Sequence, residues 1–252
     1  MVDISILFGV ESGSRAWGIE SEDSDFDVRF VYHYPKAEYL KLFSTIDETK
    51  DDFLEINGSE LDLVGWDIFK FLRLVAKSNP TALEWIQSPI IYIDNPVLDE
   101  LKKIIANFSR FTLVKHYYSM ALSNYRKYIE INDSGSLKNW LYVIRSLLNA
   151  IYIIEFQQFP ALRLEVTLNK LRKEQKHGIE LIADEILSLL EIKRGGSEND
   201  QAMISSAIKF WVRETLDQFE QSADVLNLQY GDSDISKDKL EHILHNILLS
   251  KI

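Results

Sequence analysis

Asp25 and Asp27 are separated by one apolar residue in the run Asp23-Ser24-Asp25-Phe26-Asp27-Val28-Arg29. In an extended strand successive side chains alternate faces, so both carboxylates project from one side, about 6–7 Å apart at Cα. Phe26 and Val28 then point the other way, toward a core. Two carboxylates so placed repel unless a metal ion or a basic group neutralises them. Hard oxygen ligands of this kind suit Mg²⁺, which takes one or two protein carboxylates with waters and phosphate oxygens. Upstream, Gly13-Ser14-Arg15 offers what phosphates seek. Gly13 allows close backbone approach, Ser14 brings a hydroxyl and Arg15 a planar cation, with a plain surface position for Arg15 as the competing reading. A helix starting at Ser14 would turn free amides toward an anion. Taken singly, an Asp-x-Asp is most often a solvated strand end and a Gly-Ser an ordinary turn. The informative signal is their combination.

The elements that must position these residues are readable from pattern. Ser5–Val10 is a short apolar strand, and Phe26–Tyr32 alternates as a half-buried strand does. Leu61–Val64 repeats that alternation after the acidic segment Asp47–Glu55 and an Asn57-Gly58 turn signal. The acidic run Asp47–Asp52 reads as a solvated loop. Ile90–Ile93 is a last strand. Helix signals lie between and after: Asp67 ahead of a broad apolar face that stops before Asn79-Pro80, then a capping box in Thr81-Ala82-Leu83-Glu84. From Phe111 onward the chain reads almost wholly helical, over Phe111–Ile131, Leu137–Phe156, Leu162–Lys173, Ile179–Lys193, Ala202–Phe219 and Lys237–Leu249. Gly195-Gly196 after Lys193-Arg194 reads as a helix end. No internal repeat is evident. A mixed α/β half followed by a helix bundle is the architecture this order predicts.

Composition narrows the classes. The 252 residues carry 28 Lys+Arg against 39 Asp+Glu, a net charge of −11, with 46% hydrophobic residues and no cysteine. Disulfide scaffolds, thiolate metal sites and cysteine nucleophiles are therefore excluded. No apolar run approaches the ~20 residues of a membrane helix and no signal peptide opens the chain, which predicts a cytoplasmic protein away from membranes. The acidic balance argues against an extended nucleic-acid surface, because gripping a phosphate backbone needs clustered Lys and Arg.

The blocks Glu11-Ser12-Gly13-Ser14-Arg15-Ala16-Trp17-Gly18 and Ser24-Asp25-Phe26-Asp27-Val28-Arg29-Phe30 resemble the signature of the DNA polymerase β-like nucleotidyltransferase superfamily. More narrowly they resemble its RNA-repair-associated (RlaP-like) branch. The resemblance continues through Leu61–Asp67, Lys77–Thr81 and Leu83–Trp85, and reappears in His116–Met120 and Tyr142–Arg145. It implies an α+β fold: an N-terminal nucleotidyltransferase palm (mixed sheet with flanking helices) over 1–108, then a C-terminal helical bundle over 109–252 that binds substrate or nucleotide, with the active site between them. It implies a third catalytic carboxylate on a neighbouring strand, which Asp62 matches, with Glu60 as rival on the same face. It also implies two Mg²⁺ or Mn²⁺ ions held by Asp25, Asp27 and Asp62, an NTP whose outer phosphates rest on Gly13 and Ser14, and pyrophosphate as leaving group. The acceptor hydroxyl belongs to an RNA end or to a small hydroxylated molecule or protein.

Lys138, Tyr142 and Arg145 fall at i, i+4 and i+7, hence on one helix stripe. The resemblance makes them candidates for contacting the nucleotide. The competing reading is a helix face with snorkelling cations beside a core tyrosine. Arg29 can assist likewise, or pair with Asp27 or an acidic neighbour. His116 with Tyr117 and Tyr118 reads more readily as core than as cleft lining, and the other histidines show no ligand pattern. The alternative to an enzyme is a non-catalytic nucleotide-binding or interaction module on the same fold.

Overall fold

In the computed structural model the described residues are 3–42, 49–56, 59–130, 135–196, 203–229 and 235–249, with side chains described for all of these except 49–56, 59–60 and 223–229. The chain folds into two compact units, one formed by Met1–Ala16, Asp25–Phe108 and Ser233–Ile252, the other by Trp17–Ser24 and Ser109–Asp232.

The first unit is built on a five-stranded mixed sheet. Its strands are β1 (Ser5–Glu11), β2 (Phe26–His33), β3 (Thr49–Ile56), β4 (Ser59–Asp67) and β5 (Ile91–Ile93). Their order across the sheet is β3-β4-β2-β1-β5. Only the β2–β4 pair is parallel; the other three pairs are antiparallel. Thr49–Asp52, expected in a loop, belong to β3, while Asp47 and Glu48 lie outside the described residues. The physical reason is position: β3 is an edge strand whose hydrogen bonds are supplied by its ladder to β4.

Aromatic packing anchors the sheet to its helices. Phe8 of β1 meets Phe71 edge-on at 5.5 Å, and Trp66 of β4 stacks on Trp85 at 4.0 Å. Phe71 belongs to α3 (Ile68–Ala76) and Trp85 to α4 (Pro80–Gln87), following the single turn α1 (Gly13–Trp17) and the short α2 (Lys36–Tyr39). Asp67 ends β4 and caps α3, its carboxylate accepting the Phe69 amide at 2.8 Å and the Tyr39 hydroxyl. The cap of α4 is Asn79, which accepts the Ala82 amide, rather than the expected Thr81. Pro80 at the first helical position, where a missing N–H costs nothing, moves the start two residues earlier. α5 (Pro96–Ile104) follows, and α11 (Lys237–Leu249) lines an apolar groove with α3 residues Phe69, Leu72 and Ala76.

The second unit is helical. Its elements are α6 (Arg110–Tyr128), α7 (Leu137–Phe156), α8 (Leu164–Lys173), α9 (Ala183–Arg194) and α10 (Ser206–Gln229). α7 is the buried spine, starting at the Ser136 cap and ending at Gln157 in the left-handed region. No helix among the described residues is long and apolar enough to cross a membrane.

Candidate active site

Parallel pairing of β2 with β4 sets Asp27 directly opposite Asp62. Neighbouring strands lie about 4.8 Å apart, so two aspartates in register on one face are close enough to share a cation. Here the cation is Arg29. Its Nη2 donates to Asp27 Oδ1 and to Asp62 Oδ2, both at 2.8 Å. Nη1 donates to the main-chain carbonyls of Val28 at 3.2 Å and Asp62 at 3.1 Å. The side chains are 15% exposed for Arg29, 28% for Asp27 and 34% for Asp62, so the group opens toward solvent through its carboxylates.

Gly13 is what lets Asp27 sit as it does. Its φ is +59°, and a Cβ there would stand 1.8 Å from Asp27 Oδ2. Only glycine combines that backbone with that contact. The Ser12 amide donates to the Asp27 carbonyl at 2.9 Å, which fastens the turn to β2. Beneath them Glu11, 1% exposed, accepts the Asp27 amide at 2.8 Å and the Tyr92 hydroxyl at 2.5 Å. Burial raises the Glu11 carboxyl above its ordinary range, and those two hydrogen bonds oppose the rise. Burial, then the bond to Glu11, raises the Tyr92 phenol. Glu11 also holds β5, donating its amide to the Ile90 carbonyl and accepting the Ser88 hydroxyl on its own carbonyl.

The other expected residues are placed as follows. β2 begins at Phe26, so Asp25 lies just before the strand and is exposed. Phe26 and Val28 are half-buried, in place of the expected core positions, and the Arg15 guanidinium lies over the Phe26 ring at 3.9 Å. Arg15 Nε also donates to the Asp25 carbonyl at 3.0 Å, so this cation holds the backbone of the acidic segment. Ser14 is buried within α1. The Glu60 side chain lies outside the described residues.

In the helical unit, Lys138 and Tyr142 are half-buried, whereas Arg145 is 2% exposed with its guanidinium 4.0 Å from the Trp17 ring centre. Tyr142 meets the same Trp17 edge-on at 5.5 Å. Lys193, expected to complement a helix end, is 1% exposed and donates to the Ser21 hydroxyl, which lies 3.0 Å from the Ser24 hydroxyl. Arg194 reaches the Gly18 carbonyl. These contacts explain why Trp17–Ser24 packs with the helices.

Sequence reasoning assigned no part to Glu11 or Tyr92. The available signal was a carboxylate closing an apolar strand immediately before the glycine turn; Tyr92 gave none. As for a metal, Asp27 and Asp62 aim two hard oxygens at one cationic nitrogen, a donor pair that fits Mg²⁺. Among the described residues no group of three or more His, Asp or Glu is arranged to hold an ion.

The chain is similar to the uncharacterized protein YcgL of Bacillus subtilis (strain 168), 33% identical over 231 residues that span 91% of this chain and 85% of the relative. It is 25% identical over 157 residues to the uncharacterized protein MJ0002 of Methanocaldococcus jannaschii, spanning 62% and 63% of the two chains. Among solved structures it matches a nucleotidyltransferase-like protein from Exiguobacterium sibiricum 255-15 with a TM-score of 0.39 and 14% identity, over 89% of this chain and 71% of the other. The family model of RlaP, the RNA repair pathway DNA polymerase beta family, matches residues 2–245, and the chain belongs to that family.

Proposed function

We propose that this protein transfers a nucleotidyl group from an NTP to an acceptor hydroxyl with release of pyrophosphate, using Mg²⁺ or Mn²⁺ held by Asp27 and Asp62, with Asp25 joining from the segment before β2. The observation that carries the reading is the in-register Asp27–Asp62 pair beside the Gly13 turn. A divalent ion bound there would polarise the reacting phosphate and offset charge on the attacking and leaving oxygens. Asp27 orients the nucleotide end of the site, its direction set by Gly13 and its backbone by Glu11. Asp62 faces the acceptor and takes the proton of its hydroxyl. The Gly13-Ser14 turn holds the outer phosphates. Arg15 keeps Asp25 in place through its carbonyl. Within the helical unit, Lys138, Tyr142 and Arg145 stand as the candidates for nucleotide contact, with Arg145 packed on Trp17. The family description favours an RNA end as acceptor. With a net charge of −11, a terminus or a small hydroxylated compound suits the chain better than a long strand.

One feature favours a second reading, a nucleotide-binding module without turnover: Arg29 Nη2 pairs with both carboxylates at once. Incubation with each labelled NTP, Mg²⁺ or Mn²⁺, and separate pools of RNA ends, metabolites and proteins distinguishes the two. A labelled product that Asp27→Asn fails to form supports transfer. NTP binding with no product from any pool supports the second reading.

A further inference from the structure

We propose that Arg29 is a resident counter-cation of the Asp27–Asp62 pair, which a divalent ion must displace from at least one carboxylate, so that free metal binds weakly and enters chiefly together with nucleotide. This rests on the metal-dependent reading above. A single Arg29 nitrogen contacts both carboxylates at 2.8 Å, and the other terminal nitrogen is bonded to two main-chain carbonyls. The guanidinium is thus locked at four points. Asp27 Oδ1 and Asp62 Oδ2 converge on Arg29 Nη2, so an ion bridging the two carboxylates through these oxygens would take the place of that nitrogen. Arginine side chains keep their charge in proteins, so the guanidinium does not leave by becoming neutral. It can only move. Its fixed positive charge beside these oxygens weakens a divalent cation held by them, roughly tenfold or more at separations of about 4–6 Å even with water-like screening. Nucleotide phosphates supply the missing negative charge, and they give the guanidinium a bidentate partner to move toward.

The test reads Mn²⁺ binding by electron paramagnetic resonance and by melting temperature, not turnover. Arg29→Gln removes the charge and should tighten the Kd for Mn²⁺ alone at least about tenfold. Arg29→Lys keeps the charge and should stay near wild type. Added Mn²⁺ should raise the melting temperature of Arg29→Gln more than that of wild type, since a ligand stabilises the state it binds. Should Arg29→Gln not fold, arginine-labelled wild type gives the same answer by NMR. The Arg29 guanidinium resonance must shift when Mg²⁺ and a nonhydrolysable ATP analogue are added together. No tightening in Arg29→Gln, equal tightening in Arg29→Lys, or an unmoved Arg29 resonance overturns the inference while leaving transfer chemistry standing. Absence of Mn²⁺ binding to any variant, with or without the analogue, overturns the metal-dependent reading and this inference with it.

Discussion

Gly13→Ala is the sharpest probe of how the turn and the carboxylate depend on each other. At φ +59° an alanine pays the left-handed backbone penalty, about 1–2 kcal/mol. The new Cβ would lie 1.8 Å from Asp27 Oδ2 and 2.7 Å from its Cγ, far inside any real contact, so the carboxylate must turn away. Turning breaks the 2.8 Å bond to Arg29, a partly exposed ion pair that contributes ~1 kcal/mol or less. The combined loss is about 1–3 kcal/mol, which for a unit of this size lowers the melting temperature by roughly 3–15 °C. Gly178 supplies the control: its φ is +69° with nothing within 4 Å of an added Cβ, so Gly178→Ala carries the backbone penalty alone. The assay is calorimetric melting of both variants, with binding of Mn²⁺ and an ATP analogue measured beside it. Gly13→Ala should melt below Gly178→Ala and lose metal–nucleotide binding that Gly178→Ala keeps. Equal melting temperatures, or full binding by Gly13→Ala, would refute the contact as the reason for glycine at this position.

Asp27→Asn is expected to abolish nucleotidyl transfer while circular dichroism stays that of wild type; wild-type turnover at saturating Mg²⁺ would contradict the metal role. Asp62→Asn should retain much of the affinity for Mg²⁺·NTP and lose most turnover, and calorimetry showing complete loss of binding would move Asp62 to the nucleotide side. In the helical unit the hydrogen bond from Lys176, then that from His177, holds the Glu155 carboxyl below its ordinary value of 4.5. Folding therefore gains from this group above pH 4.5 and loses the gain as pH falls through the lowered value. The melting-temperature difference between wild type and Glu155→Gln should accordingly be full at neutral pH and fade in acid; a difference that grows toward acid would reverse the sign. Arg145, one of the cations considered for phosphate contact, is buried against Trp17 and the net charge is −11, so RNA-end binding should show a log–log salt slope of about −1.4 or shallower, equivalent to two phosphates. A steep slope that grows with oligonucleotide length would reveal an extended groove.

Much of this protein was legible locally, because the deciding interactions span a few residues. α7 runs over Leu137–Phe156 as its apolar pattern predicts, since Ser136 caps it by accepting the Asn139 amide and Gln157 ends it. α11 likewise keeps the predicted bounds Lys237–Leu249. The glycine turn followed by Asp-x-Asp carries the family resemblance on its own, because that motif is contiguous in the chain. What tertiary structure decided is everything that depends on distant partners. Asp27 and Asp62 are 35 positions apart, and only the parallel register of β2 on β4 makes them opposite neighbours. Whether Arg29 paired with one acid or another was open in the sequence; the register brings both within reach of one nitrogen. Thr49–Ile56 has too many charges to read as a strand, yet its hydrogen bonds are supplied by β4, so pairing overrides composition. Glu11 and Tyr92 meet because β1 and β5 are adjacent, and Lys193 is buried because a serine far along the chain accepts its hydrogen bond. Short-range capping and alternation are written into consecutive residues, whereas shared charges and buried polar partners come into being only when the sheet closes.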